Sequence, residues 1–185
     1  MTETGQAQPE PPPPHPVAAR LGESIDSHEI TFGQLAVRVT RDRLLDLCRA
    51  LRDDATLRFD HLADVTAVDY LTIDPNGPPE GRHNPRFDVV YHLYSISRNQ
   101  RLRVKVALGE DDASVPSVTS LWPAANWAER ETYDMYGITF NGHPELTRIL
   151  MPDDCQGHPL RKDYPLIEEE IEFSGTLARL NEDRR

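Results

Sequence analysis

The stretch that decides the fold runs from residue 87 to residue 108 and reads FDVVYHLYSISRNQRLRVKVAL. Its second half alternates apolar and basic residues, which predicts a strand with one buried face and one basic, solvated face. The apolar positions are Leu102, Val104, Val106 and Leu108, and the basic positions are Arg101, Arg103 and Lys105. In the first half apolar residues occupy both alternating sets, so both faces of that strand carry bulk. The short link from Ser97 to Gln100 joins the two strands as an antiparallel hairpin.

Upstream of the hairpin, an amphipathic helix is predicted to begin after Thr40, a residue that can cap it. Four apolar residues follow at the spacing i, i+3, i+4, i+7, which forms one helical stripe. They are Leu44, Leu47, Cys48 and Leu51. Because Cys48 lies on this stripe, we interpret it as a small core residue. Residues 57–73 are predicted to form short strands around a turn at Asp60-His61.

Downstream of the hairpin, residues 116–136 read as helical, with Pro123 at a helix break or in the first turn of a second helix. From Gly137 onwards the regular periodicity disappears, and repeated glycines and prolines exclude a long helix or a central strand. The segment nevertheless stays rich in Leu, Ile and Tyr. An irregular segment that is both apolar and charged suits a chain that lies on another protein.

The helix and strand runs do not alternate regularly, so we predict an α+β fold. In it a two-layer helix-on-mixed-sheet domain is followed by a long extended C-terminal segment. We divide the chain into a Pro-rich, disordered tail (1–27), a core domain (28–136), an extended partner-docking segment (137–167) and an acidic C-terminal tail (168–185). The proline run that starts at Pro11 favours polyproline II or disorder in the first part.

Composition excludes several classes of protein. The 185 residues include 31 Asp and Glu against 20 Lys and Arg, a formal charge of -11. This acidic balance argues against nucleic-acid binding, which needs clustered cations. Two cysteines cannot build a disulfide framework, so a reducing compartment is expected. No apolar run approaches the roughly 20 residues of a membrane span, and the N-terminus does not read as a signal peptide.

A metal site is one interpretation of Cys155 and His158, whose spacing zinc can use, with His143 upstream. A structural zinc site normally shows a second clean pair of ligands, and the sequence has none. Two Gly-His-Pro turns are the simpler interpretation. The basic stripe on the hairpin allows contact with an anionic partner, with a solvated strand face as the simpler account.

Acid–base chemistry is a second interpretation, for the helix that carries Glu129, Glu131 and Asp134. A buried pair of carboxylates can serve as general acid and base. Arg130 stands among them and can pair with Asp134 four residues on, which favours an ion-pair network over catalysis. A free-standing acid–base enzyme that uses Glu131, Asp134 and His143 stays open as an alternative.

Residues 129–166 read ERETYDMYGITFNGHPELTRILMPDDCQGHPLRKDYPL, and this stretch carries a resemblance. It is similar to the signature of the 30 kDa subunit of respiratory complex I, the family that also includes the corresponding subunit of the bacterial NADH–quinone oxidoreductase. The similarity is continuous and the spacing nearly fixed. Residues 59–70 and the hairpin also resemble that family, so the resemblance extends from about His28 to Leu166.

The resemblance implies a cofactor-free structural subunit of the peripheral arm of a proton-translocating NADH–quinone oxidoreductase, without an active site of its own. It implies docking to the large quinone-site subunit and to the terminal iron–sulfur subunit during electron transfer from NADH to quinone. FMN and iron–sulfur clusters are expected in partner subunits. The expected location is peripheral, on the cytoplasmic side of the cell inner membrane, with membrane contact only through partners. A related subunit of a hydrogenase-like complex stays open as an alternative.

The resemblance, together with the charged and apolar character of the last third, selects the residues that we expect at contacts between subunits. Catalytic, cofactor-binding and metal-binding residues are not expected in this chain. The expected docking residues are Glu129, Arg130, Glu131, Asp134, Tyr136, His143, Arg148, Ile149, Leu150, His158, Leu160, Arg161, Lys162 and Asp163, with Leu166 as a further apolar anchor.

Overall fold

The structure is a computed structural model that describes residues 15–71 and 85–165. The helices are α1 (Pro16–Leu21), α2 (Leu44–Asp53) and α3 (Ala125–Tyr136), with two 3-10 turns at Gly22–Ser24 and Arg41–Arg43. The strands are β1 (Ser27–Thr31), β2 (Gln34–Arg38), β3 (His61–Asp69), β4 (Phe87–Ser95), β5 (Gln100–Leu108), β6 (Ser114–Pro116) and β7 (Thr139–Asn141).

Five strands form one mixed sheet in the order β1-β2-β5-β4-β3. Strands β2 and β5 are parallel, while the other neighbours are antiparallel. The predicted hairpin is confirmed: β4 and β5 pair in unbroken register from Phe87 opposite Leu108 to Ser95 opposite Gln100. The α+β fold class is therefore confirmed, with a second, two-stranded sheet made by β6 and β7.

One face of the large sheet is covered by helices and forms the core. The apolar stripe of α2 packs there, and Cys48 is fully buried as predicted. Alternate residues of β4, among them Phe87 and Tyr91, are buried in the same cluster. Burying side chains of this size contributes about 1.5–3 kcal/mol each relative to leaving them exposed. The intervening residues of β4, such as His92, lie on the opposite face because successive strand residues alternate.

The folded structure begins earlier than the predicted boundary at residue 28. Pro16 occupies the first turn of α1, where its missing N–H costs nothing, and Val17 accompanies Leu21 into the core. A six-residue helix is marginal by itself, so this one depends on tertiary packing that local sequence patterns do not reveal. The proline run, the acidic tail 168–185 and Leu166 lie outside the described residues.

Two local predictions need correction. Between 57 and 73 the described residues contain one nine-residue strand, β3, and not two short strands, because the whole strand pairs with β4 apart from one register shift between Leu62 and Asp64. Helix α3 begins at Ala125 and not near 116. Pro116 ends β6, and the chain then turns so that the amides of Leu121 and Trp122 both donate to the carbonyl of Val118.

Candidate functional site

Asp134, near the end of α3, anchors the segment that follows the helix. One carboxylate oxygen accepts hydrogen bonds from three consecutive backbone amides, those of Ile149, Leu150 and Met151, at 3.1, 2.8 and 2.9 Å. The other oxygen accepts from Arg148 Nη1 at 2.8 Å. The side chain of Asp134 is completely buried. A single carboxylate therefore holds four successive residues.

The charge of Asp134 is stabilised by this arrangement. Burial by itself would raise the pKa of the carboxyl, but the three amides and the Arg148 guanidinium outweigh it, so the pKa of Asp134 is lowered. A carboxylate whose acceptors are filled and whose pKa is low is a poor general base. Since Glu131 is exposed on α3, the structure does not favour the acid–base alternative that the sequence left open.

The helix terminus itself receives the returning chain. Gly137 ends α3 in the left-handed conformation (φ 74°), and its N–H donates to the carbonyl of Tyr133. His158 lies directly against this glycine, because a Cβ at position 137 would approach the imidazole to 2.5 Å. The Nδ1 atom of His158 donates to the carbonyl of Asp134 at 2.9 Å, and the amide of Leu160 donates to Met135. The glycine is thus required by both backbone geometry and contact.

A second carboxylate cluster surrounds Arg86, which is 1% exposed. Its guanidinium pairs with Asp69 at 2.9 Å, with Glu110 at 2.8 Å and with Asp163 at 2.9 Å. Asp69 also accepts the amide of Lys162 at 3.0 Å. This cluster joins the ends of β3, β4 and β5 to the C-terminal segment, and sequence reasoning missed Arg86. Its only local signal is an arginine placed immediately before a buried strand.

The electrostatics of this cluster favour the charged forms. Burial acts to lower the pKa of Arg86, but the carboxylates of Asp69 and Asp163 dominate and raise it. Desolvation also acts to raise the pKa of Asp69, yet the Arg86 guanidinium and two backbone amides leave that pKa lowered. The pKa of Asp163 is lowered, chiefly by Arg86. Paired charges with filled hydrogen-bonding positions offset their desolvation cost.

Arg130 connects α3 to the same segment. Its guanidinium donates to the carbonyl of Thr147 at 3.1 Å and to the hydroxyl of that residue at 2.8 Å, and it lies 5.4 Å from the ring centre of Trp127. Arg161 lies 5.3 Å from the ring centre of Phe87. Both arginines therefore contact their own chain, whereas the sequence assigned them to docking.

The remaining predicted residues occupy different environments. His143 accepts from the amide of Glu145 through Nδ1, and its Nε2 faces the carbonyl of Asn126 at 3.2 Å. Tyr136 is half-buried and packs against the core. The side chain of Lys162 is exposed.

Glu129 is a predicted docking residue that the core encloses. Its side chain faces inwards and is 0% exposed, so it presents no surface to a partner. One carboxyl oxygen accepts the amide of Val118 at 2.7 Å, while the other has no hydrogen-bond partner among the described residues. Burial raises its pKa to about 7. The sequence did not reveal this because a glutamate on an amphipathic helix normally faces solvent.

Apolar side chains remain exposed beside these anchors. Leu150, Leu160 and Trp127 are 60%, 52% and 67% exposed. Leu150 belongs to the backbone held by Asp134, and the amide of Leu160 is held by α3. Large apolar residues that are fixed in place and yet exposed are typical of interaction surfaces.

The described residues carry neither of two other features. Among residues 15–71 and 85–165, no group of three or more His, Cys, Asp or Glu side chains is arranged to hold a metal ion. Within the same residues, no helix is long and apolar enough to cross a membrane.

Comparison with known proteins identifies the family. The model of the "Respiratory-chain NADH dehydrogenase, 30 Kd subunit" family matches residues 37–170. A subunit of the NADH-quinone oxidoreductase of Roseiflexus sp. (strain RS-1) is 51% identical over 166 residues, covering 90% of this chain and 87% of that protein. The protein of the same name from Saccharopolyspora erythraea is 48% identical over 172 residues, covering 92% of this chain and 63% of that protein. The chain thus spans less than two thirds of the length of the latter relative.

Solved structures agree with the fold. The trypsin-resistant fragment (1–134) of Nqo5 is 38% identical with a TM-score of 0.53, covering 65% of this chain and 89% of that one. A chain of an archaeal membrane-bound sulfane sulfur reductase is 24% identical with a TM-score of 0.61, covering 90% and 88%; this second likeness concerns the fold alone. The fold and the anchored segment therefore define a respiratory-complex protein. The chain belongs to the 30 kDa subunit family of respiratory-chain NADH dehydrogenase.

Proposed function

We propose that the chain is a structural subunit of the peripheral arm of a proton-translocating NADH–quinone oxidoreductase. In this role it holds the quinone-site subunit and the terminal iron–sulfur subunit in place during electron transfer from NADH to quinone. The chain contributes no cofactor, and FMN and the iron–sulfur clusters belong to the partners. It is attached to the cytoplasmic side of the cell inner membrane through those partners.

The observation that carries this proposal is the anchoring of exposed apolar residues by Asp134. Three amide hydrogen bonds fix residues 149–151, and Leu150 stays 60% exposed within them. A surface that is ordered before binding loses less conformational entropy when a partner covers it. Interface cores are enriched in such apolar and aromatic anchors, and Trp127 and Leu160 add to the set.

The relatives support the choice of complex. Those at 44–54% identity are named as a subunit of NADH-quinone oxidoreductase, which favours NADH as the electron donor over the hydrogenase-like alternative. The sulfane sulfur reductase chain shares the fold at 24% identity and carries no weight for the donor.

Affinity purification of the tagged chain from its own cell tests the proposal. We expect an NADH-binding flavin subunit, iron–sulfur subunits and the quinone-site subunit in the purified material, with NADH–quinone activity. As a charge-reversal variant, Arg161→Glu should lower assembly and activity together. Recovery of a monomer without redox subunits, with a turnover of its own that Glu131→Gln abolishes, would contradict the proposal.

A further inference from the structure

A groove crosses the sheet on the face away from the helices. It has a volume of about 450 Å³ and is lined from four strands, β2, β5, β4 and β3. Neighbouring strands are about 4.8 Å apart, so four strands give it a length of roughly 15 Å. Its polar lining comprises Gln34, His61, Asp64, His92, Tyr94, Arg101 and Arg103. None of these residues belongs to the C-terminal segment.

Two arginines in this groove have no carboxylate partner among the described residues. The neighbouring cations are paired, since Lys105 binds Glu29 at 2.6 Å and Arg38 binds Asp88 at 2.7 Å. Within the described ranges, Arg101 and Arg103 form no ion pair. Arg101 lies 5.7 Å from the ring centre of Tyr94. The Nε atom of Arg103 is buried without a hydrogen-bond partner in that part of the chain.

The other charged and titratable groups of the groove do not neutralise these cations. Asp64 is opposite His92 in the sheet, and its carboxylate accepts the amide of Val65. Desolvation lowers the pKa of His92, the charge of Asp64 opposes this and Arg103 adds to it. His61 is exposed at the start of β3. As far as the described residues show, the groove presents two unpaired guanidinium groups beside one carboxylate, on a chain whose formal charge is -11.

We propose that this groove binds an acidic, extended segment of a partner protein, whose carboxylates contact Arg101 and Arg103. Guanidinium groups bind carboxylates in a bidentate manner, and the interaction is stronger where it is shielded from water. A narrow groove admits a single extended chain. A flat bilayer surface does not reach cations at its floor, and two unpaired arginines are too few for a nucleic acid. The proposal does not rest on the function proposed above.

Fluorescence anisotropy with the full chain tests this inference. The probe is a dye-labelled peptide, Gly-Glu-Ser-Glu-Ser-Glu-Gly, and its counterpart carries glutamine in place of glutamate. We expect the glutamate peptide to bind at least tenfold more tightly than the glutamine peptide. The double variant Arg101→Gln/Arg103→Gln should lose at least tenfold in affinity for the glutamate peptide. The matched control Arg20→Gln/Arg49→Gln removes the same charge outside the groove and should change the affinity less than twofold.

Three results would overturn the proposal. One is equal binding of the two peptides, and another is equal loss in both double variants. The third is binding of phosphatidylglycerol vesicles through Arg101 and Arg103 without binding of the peptide. Should the groove variant fail to fold, amide chemical shifts of the unaltered chain decide the matter. They must change at groove residues when the glutamate peptide is added, and changes confined to residues 137–165 would refute the groove as the site.

Discussion

The carboxylate of Asp134 and the guanidinium of Arg148 are joined at 2.8 Å between helix α3 and the segment that leaves it. The same carboxylate accepts the next three backbone amides. This makes the charged residues of the family signature internal fasteners before they are anything else. Residues that the sequence assigned to docking thus act on a partner mainly through the apolar side chains that they hold in position.

Asp134→Asn should therefore release the C-terminal segment. The amide group lacks the negative charge and offers one acceptor oxygen to four donors, so we expect a loss of about 3 kcal/mol in the free energy of unfolding. Trypsin should cleave after Arg148 and Arg161 at least tenfold faster than in the unaltered chain. Urea unfolding and limited proteolysis measure the two effects. Glu131→Gln, on the exposed side of the same helix, is the control and should stay within about 0.5 kcal/mol; an equal effect would contradict the anchoring role.

Local sequence patterns predicted the hairpin and the core position of Cys48, because strand alternation and helical stripes extend over a few neighbouring residues. They failed where order comes from distant contacts. Arg86 joins Asp69 to Asp163, which is 77 residues further along the chain than Arg86, and no periodicity encodes such a cluster. Helix α1 is too short to be predicted from propensity, and its burial against the core decides its structure.

The Arg86 cluster should respond to substitution in proportion to burial. Asp69→Asn removes a fully buried partner of Arg86, so we expect a loss of about 3–4 kcal/mol in the free energy of unfolding. Asp163 is 40% exposed, and solvent screening should reduce the effect of Asp163→Asn to about 1 kcal/mol. Urea denaturation of both variants measures the order. A larger loss for Asp163→Asn would show that the C-terminal segment, and not the buried pair, dominates the cluster.

Glu129 should make stability depend on pH. Burial raises its pKa to about 7 from the ordinary 4.5, so the folded state holds the proton more tightly than the unfolded state. The stabilisation is complete below pH 4.5 and is lost as pH rises through about 7, amounting to about 3 kcal/mol at most. Urea unfolding between pH 5 and pH 8 should show Glu129→Gln gaining on the unaltered chain as pH rises.

The difference between the two chains isolates this group, since all other titrations are shared. Glutamine keeps an oxygen acceptor for the amide of Val118, so the hydrogen bond at 2.7 Å can persist. A stability difference that does not change between pH 5 and pH 8 would mean that Glu129 ionises as readily in the folded chain as in the unfolded one.

The two cysteines should differ in reactivity. Cys48 is fully buried, and burial raises its pKa to about 12, so little thiolate forms at pH 8. Cys155 is partly exposed. Ellman's reagent at pH 8 should therefore titrate one thiol in the native chain and two in concentrated urea. Cys155→Ser should abolish the native reaction. Rapid modification of Cys48 in the native chain would indicate that α2 opens from the sheet.

Leu150 and Leu160 should matter for assembly more than for folding. Both are more than half exposed in the isolated chain, so Leu150→Ser/Leu160→Ser should alter the free energy of unfolding by less than about 1 kcal/mol. Buried at an interface, the two side chains would contribute about 1.5–3 kcal/mol each, and recovery of partner proteins with the tagged chain should fall at least tenfold. Ile96→Ser is the matched control, since Ile96 is 64% exposed on the β4–β5 turn. If Ile96→Ser reduces recovery as much as the double variant does, exposed apolar area in general, and not the surface held by Asp134, governs assembly.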